Sequence, residues 1–205
     1  GIRSGYDGLL SGNPSRGLVP LTPERVRGIT NLGGTILGTT NAGNPLHYPT
    51  RLASGKLVER DRTGDVIRAL KRERVDALVA IGGDGSLGIA AALAKKGLRV
   101  VGVPKTIDND LDSTVITFGF DSAVSFATEC IDRLHTTAES HRRILVVEVM
   151  GRYAGWIALN SGVSGDAHAI LIPEIPYDLA KVARTLKENA PRYAIVVVAE
   201  GARPK

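Results

Sequence analysis

Short runs of valine, isoleucine and leucine alternate with helical segments along most of this 205-residue chain. The runs are apolar at consecutive positions, which is typical of strands that are buried on both faces. Strands of this kind, joined by helices, form a parallel sheet with helices on each side. We therefore predict an α/β fold. The expected strands are 34–38, 76–81, 99–103 (ending at Pro104), 144–149, 167–172 and 193–199, and the expected helices are 63–74, 86–96, 121–139, 153–161 and 179–189.

The composition excludes several classes of protein. Hydrophobic residues make up 43% of the chain, and the net charge of +5 favours anionic ligands. The basic residues are scattered and aromatic residues do not interleave with them, so no nucleic-acid partner is expected. No apolar run reaches the length of a membrane span, so no membrane partner is expected. Cys130 is the single cysteine and the four histidines are dispersed, which favours a cytoplasmic location and argues against a zinc site.

The residues that follow the strands are the first place to look for a site, because ligands of parallel sheets bind beyond the carboxyl ends of the strands. Four segments hold these positions, and we expect them to gather at one edge of a sheet. They are residues 82–86, 104–110, 150–152 and 200–201.

The first segment, Gly82-Gly83-Asp84-Gly85-Ser86, follows a strand and opens a helix. Its glycines let the backbone approach an anion closely, and the free N–H groups of a helix N-terminus suit phosphate oxygens. Ser86 is placed to cap the helix, and Asp84 to approach a hard cation that bridges phosphates. The segment indicates a phosphate site, and an ordinary glycine turn with a solvated aspartate stays open as the alternative.

Residues 104–110, Pro-Lys-Thr-Ile-Asp-Asn-Asp, place two carboxylates, a hydroxyl and an amine directly after a strand. Thr106 and Asp108 are two positions apart, so their side chains share a face if the segment is extended. Asp108 is a candidate to accept the proton of an attacking hydroxyl, and Asp110 to orient a metal-bound water or to hold the surroundings of Asp108. The alternative is a polar loop whose Asp and Asn residues make local turns.

Met150-Gly151-Arg152 again lies between a strand and a helix, and the planar guanidinium of Arg152 suits a phosphoryl group. Arg142 and Arg143 precede the same strand, so they are expected at its opposite end. A basic residue there is better placed to serve a neighbouring subunit's site than its own. Plain solvent exposure is the alternative, and the pattern alone favours it.

Taken together, these segments resemble the signature set of the phosphofructokinase family. The resemblance extends over the whole chain, because further segments match the family in the right order, namely 5–9, 34–38 and 118–121. The Thr-Ile-Asp-Asn-Asp loop is highly specific, whereas lipid and NAD kinases have a similar glycine-rich loop. The resemblance implies a phosphofructokinase-like α/β fold with two Rossmann-like parallel-sheet domains. Residues 1–119 are expected to bind the phosphoryl donor and Mg²⁺, and residues 120–205 the sugar phosphate.

The resemblance also implies a 6-phosphofructokinase and a role for each site residue. Asp84 helps to hold Mg²⁺, and Asp108 is the base for the 1-hydroxyl of fructose 6-phosphate. The donor lies against Gly82, Gly83, Asp84, Gly85 and Ser86. The catalytic residues are Asp108, Thr106, Arg152 and Lys105. The sugar-binding residues are Thr106, Ile107, Asp108, Asp110, Arg143 (from a neighbouring subunit), Met150, Gly151, Arg152 and Glu200.

Two positions bear on the phosphoryl donor. Family members that use pyrophosphate typically have aspartate where this chain has Gly85, and a carboxylate there would repel the α-phosphate of a nucleotide. Lys105, by contrast, is typical of pyrophosphate users. We expect ATP as the donor, with pyrophosphate as the alternative. A lipid or NAD kinase leaves Asp108, Asp110 and Arg152 unexplained, and a catalytically dead regulatory subunit has no chemical need for Asp84, Asp108 and Arg152 together.

The chain also departs from the family. The family's first strand and donor loop would precede Gly1, and further basic sugar-phosphate ligands would follow Lys205, so we expect the 205-residue piece alone to be inactive. The family usually has a basic residue near Asn41 or Ala42, and here there is none. For the full-length protein, we expect a cytoplasmic homodimer or homotetramer.

Overall fold

A computed structural model of the chain describes residues 1–10, 17–40, 42–189 and 192–205. These residues form two compact units. The first unit comprises residues 1–80 and 85–102, and the second comprises residues 81–84 and 103–205. The division into a donor-binding part, 1–119, and a sugar-binding part, 120–205, concerns function and stays a prediction.

Helices and strands alternate through most of the chain. The helices are α1 (Asp7–Leu10), α2 (Pro23–Val26), α3 (Thr63–Arg72), α4 (Asp84–Lys95), α5 (Phe120–His141), α6 (Trp156–Ser164) and α7 (Leu179–Asn189), with a 3₁₀ turn at Ile29–Asn31. The strands are β1 (Tyr48–Arg51), β2 (Leu57–Arg60), β3 (Leu78–Gly82), β4 (Val100–Thr106), β5 (Phe118–Gly119), β6 (Ile144–Val149), β7 (Ala169–Leu171) and β8 (Ala194–Ala199). Among the described residues, no helix is long and apolar enough to cross a membrane.

The α/β fold predicted from the sequence is confirmed. Strands β3, β4 and β5 form one sheet, in which β4 and β5 are parallel, and β6, β8 and β7 form a second, fully parallel sheet. The expectation that all strand ends gather at one edge of one sheet is therefore wrong, because the strands divide between two sheets. Strands β1 and β2 pair separately as an antiparallel hairpin.

The core of the second unit is built around β8, the middle strand of its sheet. Ile195, Val197 and Ala199 point to one face and pack with Ile131 of α5 and Ile157 of α6. The alternate residues of β8 pack on the other face with Leu186 of α7. Both faces are thus covered, which is why β8 reads as a continuous apolar run in the sequence.

The first unit has its own apolar core under α3 and α4. Val66 and Leu70 of α3 are one helical turn apart and pack with Leu93 of α4, and all three are almost completely buried. Leu9 and Leu10 of α1 join the same cluster.

Two of the strand predictions are wrong. Residues 34–38 form turns instead of a strand, because Gly34 and Gly38 have left-handed backbones, with φ of +75° and +73°. Strand β4 does not end before Pro104 but continues to Thr106. Proline lacks an N–H group, and none is needed on the side of β5, because pairing with β5 begins only at Lys105.

The expectation that every strand is buried on both faces is also wrong. Val79 and Ile81 of β3 are 59% and 63% exposed, and Ile144 and Val146 of β6 are 58% and 66% exposed. Each pair lies on one face of its strand, since the side chains are two positions apart. Within the described part of the chain, these faces are left uncovered.

Candidate functional site

The glycine-rich segment lies at the junction between β3 and α4. Strand β3 ends at Gly82 and α4 begins at Asp84, so Gly83 is the only residue between them. A Cβ atom on Gly83 would lie 3.2 Å from Cβ of Thr106 and 3.5 Å from its Oγ1. Glycine therefore avoids a tight contact where this turn passes the side chain at the end of β4.

The first turn of α4 is open to solvent. Asp84, Gly85 and Ser86 are all exposed, and a Cβ atom on Gly85 would meet nothing within 4 Å. The first N–H groups of a helix have no partner within the helix and are free to bind an anion. The prediction that Ser86 caps α4 is wrong, because the helix begins two residues earlier and Ser86 lies inside its first turn.

Strand β4 ends at Thr106, and the chain then bends. Oγ1 of Thr106 accepts the backbone N–H of Asp108 at 3.2 Å. The segment is therefore not extended, because this hydrogen bond turns the chain directly after the strand, but the side chains of Thr106 and Asp108 still meet. The bend leaves Asp108 only 8% exposed.

The surroundings of Asp108 raise the pKa of its carboxyl above the ordinary value of 3.8. Burial is the main cause, since it disfavours the charged form, and the negative charge of Asp110 acts in the same direction. A hydrogen bond with the Thr106 side chain and the positive charge of Arg152 oppose the rise, and Glu200 adds a small further increase. Asp108 is thus a carboxylate whose proton affinity is increased, as a general base requires.

Asp110 carries a buried oxygen, Oδ1, that has no hydrogen-bond partner among the described residues. Among all residues that the structure describes, no group of three or more His, Cys, Asp or Glu side chains is arranged to hold a metal ion. Mg²⁺ is usually bound by one or two carboxylates together with substrate phosphates. Asp84 follows β3 and Asp110 follows β4, so each could supply one carboxylate to a site of this kind.

The Met150-Gly151-Arg152 turn follows β6 and has an unusual backbone. Gly151 has φ +144° and Arg152 has φ +53°. A Cβ atom on Gly151 would lie 2.5 Å from the carbonyl oxygen of Ala154, so only glycine fits. Oε1 of Glu200 accepts the backbone N–H groups of Gly151 at 3.1 Å and of Arg152 at 2.6 Å. Glu200 therefore ties the end of β8 to the turn that carries Arg152.

The side chains of this turn are available to a ligand. Arg152 is exposed, and its Cζ lies 5.5 Å from the ring centroid of Tyr153. Met150 is 61% exposed. Gly201 packs so closely against the carbonyl oxygen of Arg152 that a Cβ atom there would overlap it. The backbone of the turn is thus held tightly, whereas the side chains of Arg152 and Met150 are exposed.

The remaining predicted site residues lie where their strands place them. Lys105 is exposed and pairs with Phe118 of β5, and half-buried Ile107 packs against the core of the second unit. Arg143 is exposed directly before β6, at the opposite end from Met150, as the sequence predicts.

Two sets of hydrogen bonds in the site were not expected from the sequence. Sequence reasoning missed the binding of two backbone N–H groups by Glu200. It also missed the side-chain hydrogen bonds of Asn109 to Val115 and Thr117. Asn41 lies outside the described residues, and Ala42 beside it is exposed.

Comparison with known proteins points to one family. A family model described as Phosphofructokinase matches residues 1–205. An ATP-dependent 6-phosphofructokinase 2 from Clostridium perfringens is 51% identical over 208 residues, which cover all of this chain and 56% of the relative. A pyrophosphate–fructose 6-phosphate 1-phosphotransferase from Streptomyces coelicolor is also 51% identical, with the same coverage. The chain thus spans about half the length of the curated relatives that it matches.

Solved structures show the same fold. A phosphofructokinase from Pichia pastoris in the T-state superposes with a TM-score of 0.82 at 32% identity, over 100% of this chain and 23% of that one. A pyrophosphate-dependent phosphofructokinase from Marinobacter aquaeolei has a TM-score of 0.68 at 26% identity, over 83% of this chain and 44% of that one.

Proposed function

Because this chain belongs to the phosphofructokinase family, we propose that it carries the catalytic residues of an ATP-dependent 6-phosphofructokinase. The reaction transfers the γ-phosphoryl group of ATP to the 1-hydroxyl of fructose 6-phosphate, giving fructose 1,6-bisphosphate and ADP in glycolysis. Relatives at about half sequence identity are named for this activity. Since the chain spans 56% of their length, the activity is proposed for the protein at the full length of these relatives.

The observation that carries the proposal is the environment of Asp108. Its carboxyl is buried, has a raised pKa and lies in the electrostatic field of Arg152 and Glu200. A sugar hydroxyl is a weak nucleophile, and a carboxylate within hydrogen-bond reach takes its proton as the oxygen bonds to phosphorus. The donor's bridging oxygen leaves with the bonding electron pair. Asp108 therefore acts as the general base, with Thr106 holding the bend that presents it.

Arg152 stabilises the phosphoryl group during transfer. Its side chain is exposed, and its positive charge is close enough to oppose the rise in the pKa of the Asp108 carboxyl. Phosphoryl transfer depends mainly on positioning and on cations around the phosphoryl oxygens. Lys105, exposed at the end of β4, supplies a second positive charge.

The donor binds at the start of α4. This site consists of Gly82, Gly83, Asp84, Gly85 and Ser86, with open space at Gly85 and the free N–H groups of the first helical turn. Asp84, with Asp110 as a second carboxylate, would hold Mg²⁺, which neutralises charge on the donor phosphates. The open space at Gly85 favours ATP. Lys105 and the pyrophosphate-dependent relative favour pyrophosphate, which is the second candidate donor.

We assign the sugar phosphate to residues around Asp108 and to the turn that follows β6. The residues assigned to it are Thr106, Ile107, Asp108, Asp110, Met150, Gly151, Arg152 and Glu200. Arg143 is exposed at the far end of β6. The six residues of this strand separate Arg143 from Met150 by about 20 Å. Such a residue serves the site of a neighbouring copy, so we propose a homodimer or homotetramer, located in the cytoplasm.

The test is a direct assay of the protein at the full length of its relatives. Fructose 6-phosphate is supplied with Mg²⁺ and either ATP or pyrophosphate, and fructose 1,6-bisphosphate is measured. We expect turnover with ATP that greatly exceeds turnover with pyrophosphate. Turnover with pyrophosphate alone would support the second candidate donor. Absence of fructose 1,6-bisphosphate with both donors would contradict the proposed function.

A further inference from the structure

Asn109 lies between the carboxylates Asp108 and Asp110 and has a left-handed backbone, with φ +52°. Residues other than glycine are uncommon in this region, and asparagine is among those that tolerate it best. Its neighbour Asp110 has a buried Oδ1 atom with no partner among the described residues. Both features are unfavourable by themselves, so surrounding contacts must hold the loop in this shape.

The side-chain amide of Asn109 makes such contacts at both of its ends. Its Oδ1 accepts the backbone N–H of Thr117 at 2.9 Å, and its Nδ2 donates to the carbonyl oxygen of Val115 at 3.4 Å. Thr117 is 4% exposed, and its hydroxyl donates to the carbonyl oxygen of Thr106 at 2.8 Å. Asn109 is thereby joined, through Thr117, to the last residue of β4.

These bonds close the loop that contains the proposed base. Asp108 is held from the strand side by Thr106, whose Oγ1 accepts its N–H. On the C-terminal side of Asp108, the next residue is Asn109, whose side chain is hydrogen-bonded to Thr117 and Val115. A rotation of the backbone at residue 109 would change the direction of the neighbouring carboxylates relative to β4. Fixing this residue therefore fixes where the Asp108 carboxylate points.

We propose that Asn109 is a positioning residue for Asp108, acting through its amide bonds to Thr117 and Val115. The inference rests on the proposed function of Asp108 as the base, and it requires no contact between Asn109 and substrate. It goes beyond a role in stability, because it predicts that the effect of Asn109 on turnover is transmitted through one carboxylate.

The test compares Asn109→Gly with Asp166→Gly in the protein at the full length of its relatives. Glycine keeps the freedom to adopt a positive φ and removes only the side chain. Asp166 is a matched control, since it is exposed and has φ +53° in a different loop. We expect Asn109→Gly to lower kcat by roughly 10–100-fold, as small misplacements of reacting groups do, with little change in KM. Asp166→Gly should leave both unchanged.

The same change is then made in the Asp108→Asn background. If Asn109 acts through Asp108, Asn109→Gly lowers kcat no further there, because the group that it positions is already gone. Hydrogen exchange of the Thr117 amide supplies a readout that does not need activity. It should be faster in Asn109→Gly and unchanged in Asp166→Gly.

Three results would overturn the proposal. They are wild-type kcat in Asn109→Gly, an equal loss of kcat in both backgrounds, and unchanged exchange at Thr117. A wild-type protein that leaves fructose 6-phosphate unphosphorylated would instead contradict the proposed function, and that failure is recognised before any variant is compared.

Discussion

Oε1 of Glu200 accepts the backbone N–H of Arg152 at 2.6 Å, although the two residues are 48 positions apart in the sequence. The same oxygen accepts the N–H of Gly151 at 3.1 Å. A glutamate at the end of β8 thus holds a turn at the end of the neighbouring strand β6. In this structure, Glu200 binds the backbone of the turn that carries Arg152, the proposed catalytic arginine, in addition to its own proposed place in the sugar site.

Replacement of Glu200 should separate its two roles. Glu200→Ala leaves the N–H of buried Gly151 without a partner, which costs about 1–3 kcal/mol of stability and loosens the turn. Glu200→Gln keeps a side-chain oxygen that can accept both N–H groups. We expect Glu200→Ala to lower the unfolding temperature and kcat/KM, and Glu200→Gln to retain the unfolding temperature. Equal unfolding temperatures for the two variants would show that the backbone bonds contribute nothing.

The pH dependence of kcat should report the raised pKa of Asp108. The base is active when ionised, so kcat falls as the pH drops through this pKa, and the fall begins at a higher pH than for an ordinary carboxylate. Asp110→Asn removes a negative charge that raises the pKa, so the acid limb should move to lower pH. Glu200→Gln should move it in the same direction by less. A shift of the acid limb to higher pH in either variant would contradict this electrostatic account.

Gly85 should decide between the two phosphoryl donors. A side chain at this position meets no protein atom within 4 Å, so Gly85→Asp is tolerated by the fold and its carboxylate acts on the ligand. We expect the variant to lose activity with ATP far more than with pyrophosphate, because the new charge repels the α-phosphate. Gly88 is a matched control, since it lies in the same helix and is equally open. Similar donor ratios for Gly85→Asp and Gly88→Asp would refute the argument.

Asp84 should control the requirement for Mg²⁺. Asp84→Asn removes a negative charge from the proposed surroundings of the cation, so a higher Mg²⁺ concentration should be needed for half-maximal turnover. Asp121→Asn serves as a control, because Asp121 is likewise an exposed aspartate in the first turn of a helix. Titration of kcat with Mg²⁺ checks the difference. An unchanged Mg²⁺ requirement in Asp84→Asn would place the cation elsewhere.

The sequence predicts much of the second unit because its elements are long and regular. Strand β6 and helix α7 have the expected bounds, 144–149 and 179–189, since each is bordered by residues that break its pattern. Residues 34–38 mislead because Ile36 and Leu37 are apolar, whereas the flanking glycines adopt left-handed turns. Strand β5 is too short, at two residues, to give a periodic signal.

The candidate site was predictable in its residue types and strand ends, but not in its hydrogen bonds. The position of Asp108 after β4 follows from the chain order. The binding of Gly151 and Arg152 by Glu200 depends on two strands becoming neighbours in the sheet, which no local spacing encodes. The contacts of Asn109 with residues 115–117 also depend on a return of the chain to β4.

The most direct test of the proposed mechanism is kcat of Asp108→Asn. Asparagine is nearly isosteric with aspartate but cannot accept the proton, and positioned acid–base groups contribute typically about 10²–10⁴-fold to the rate. We predict a loss of kcat of that size with little change in KM for fructose 6-phosphate. Asp112→Asn, an exposed aspartate of the same loop, should behave like wild type. A near-wild-type kcat in Asp108→Asn, or a rise in KM alone, would contradict the assignment of Asp108 as the base.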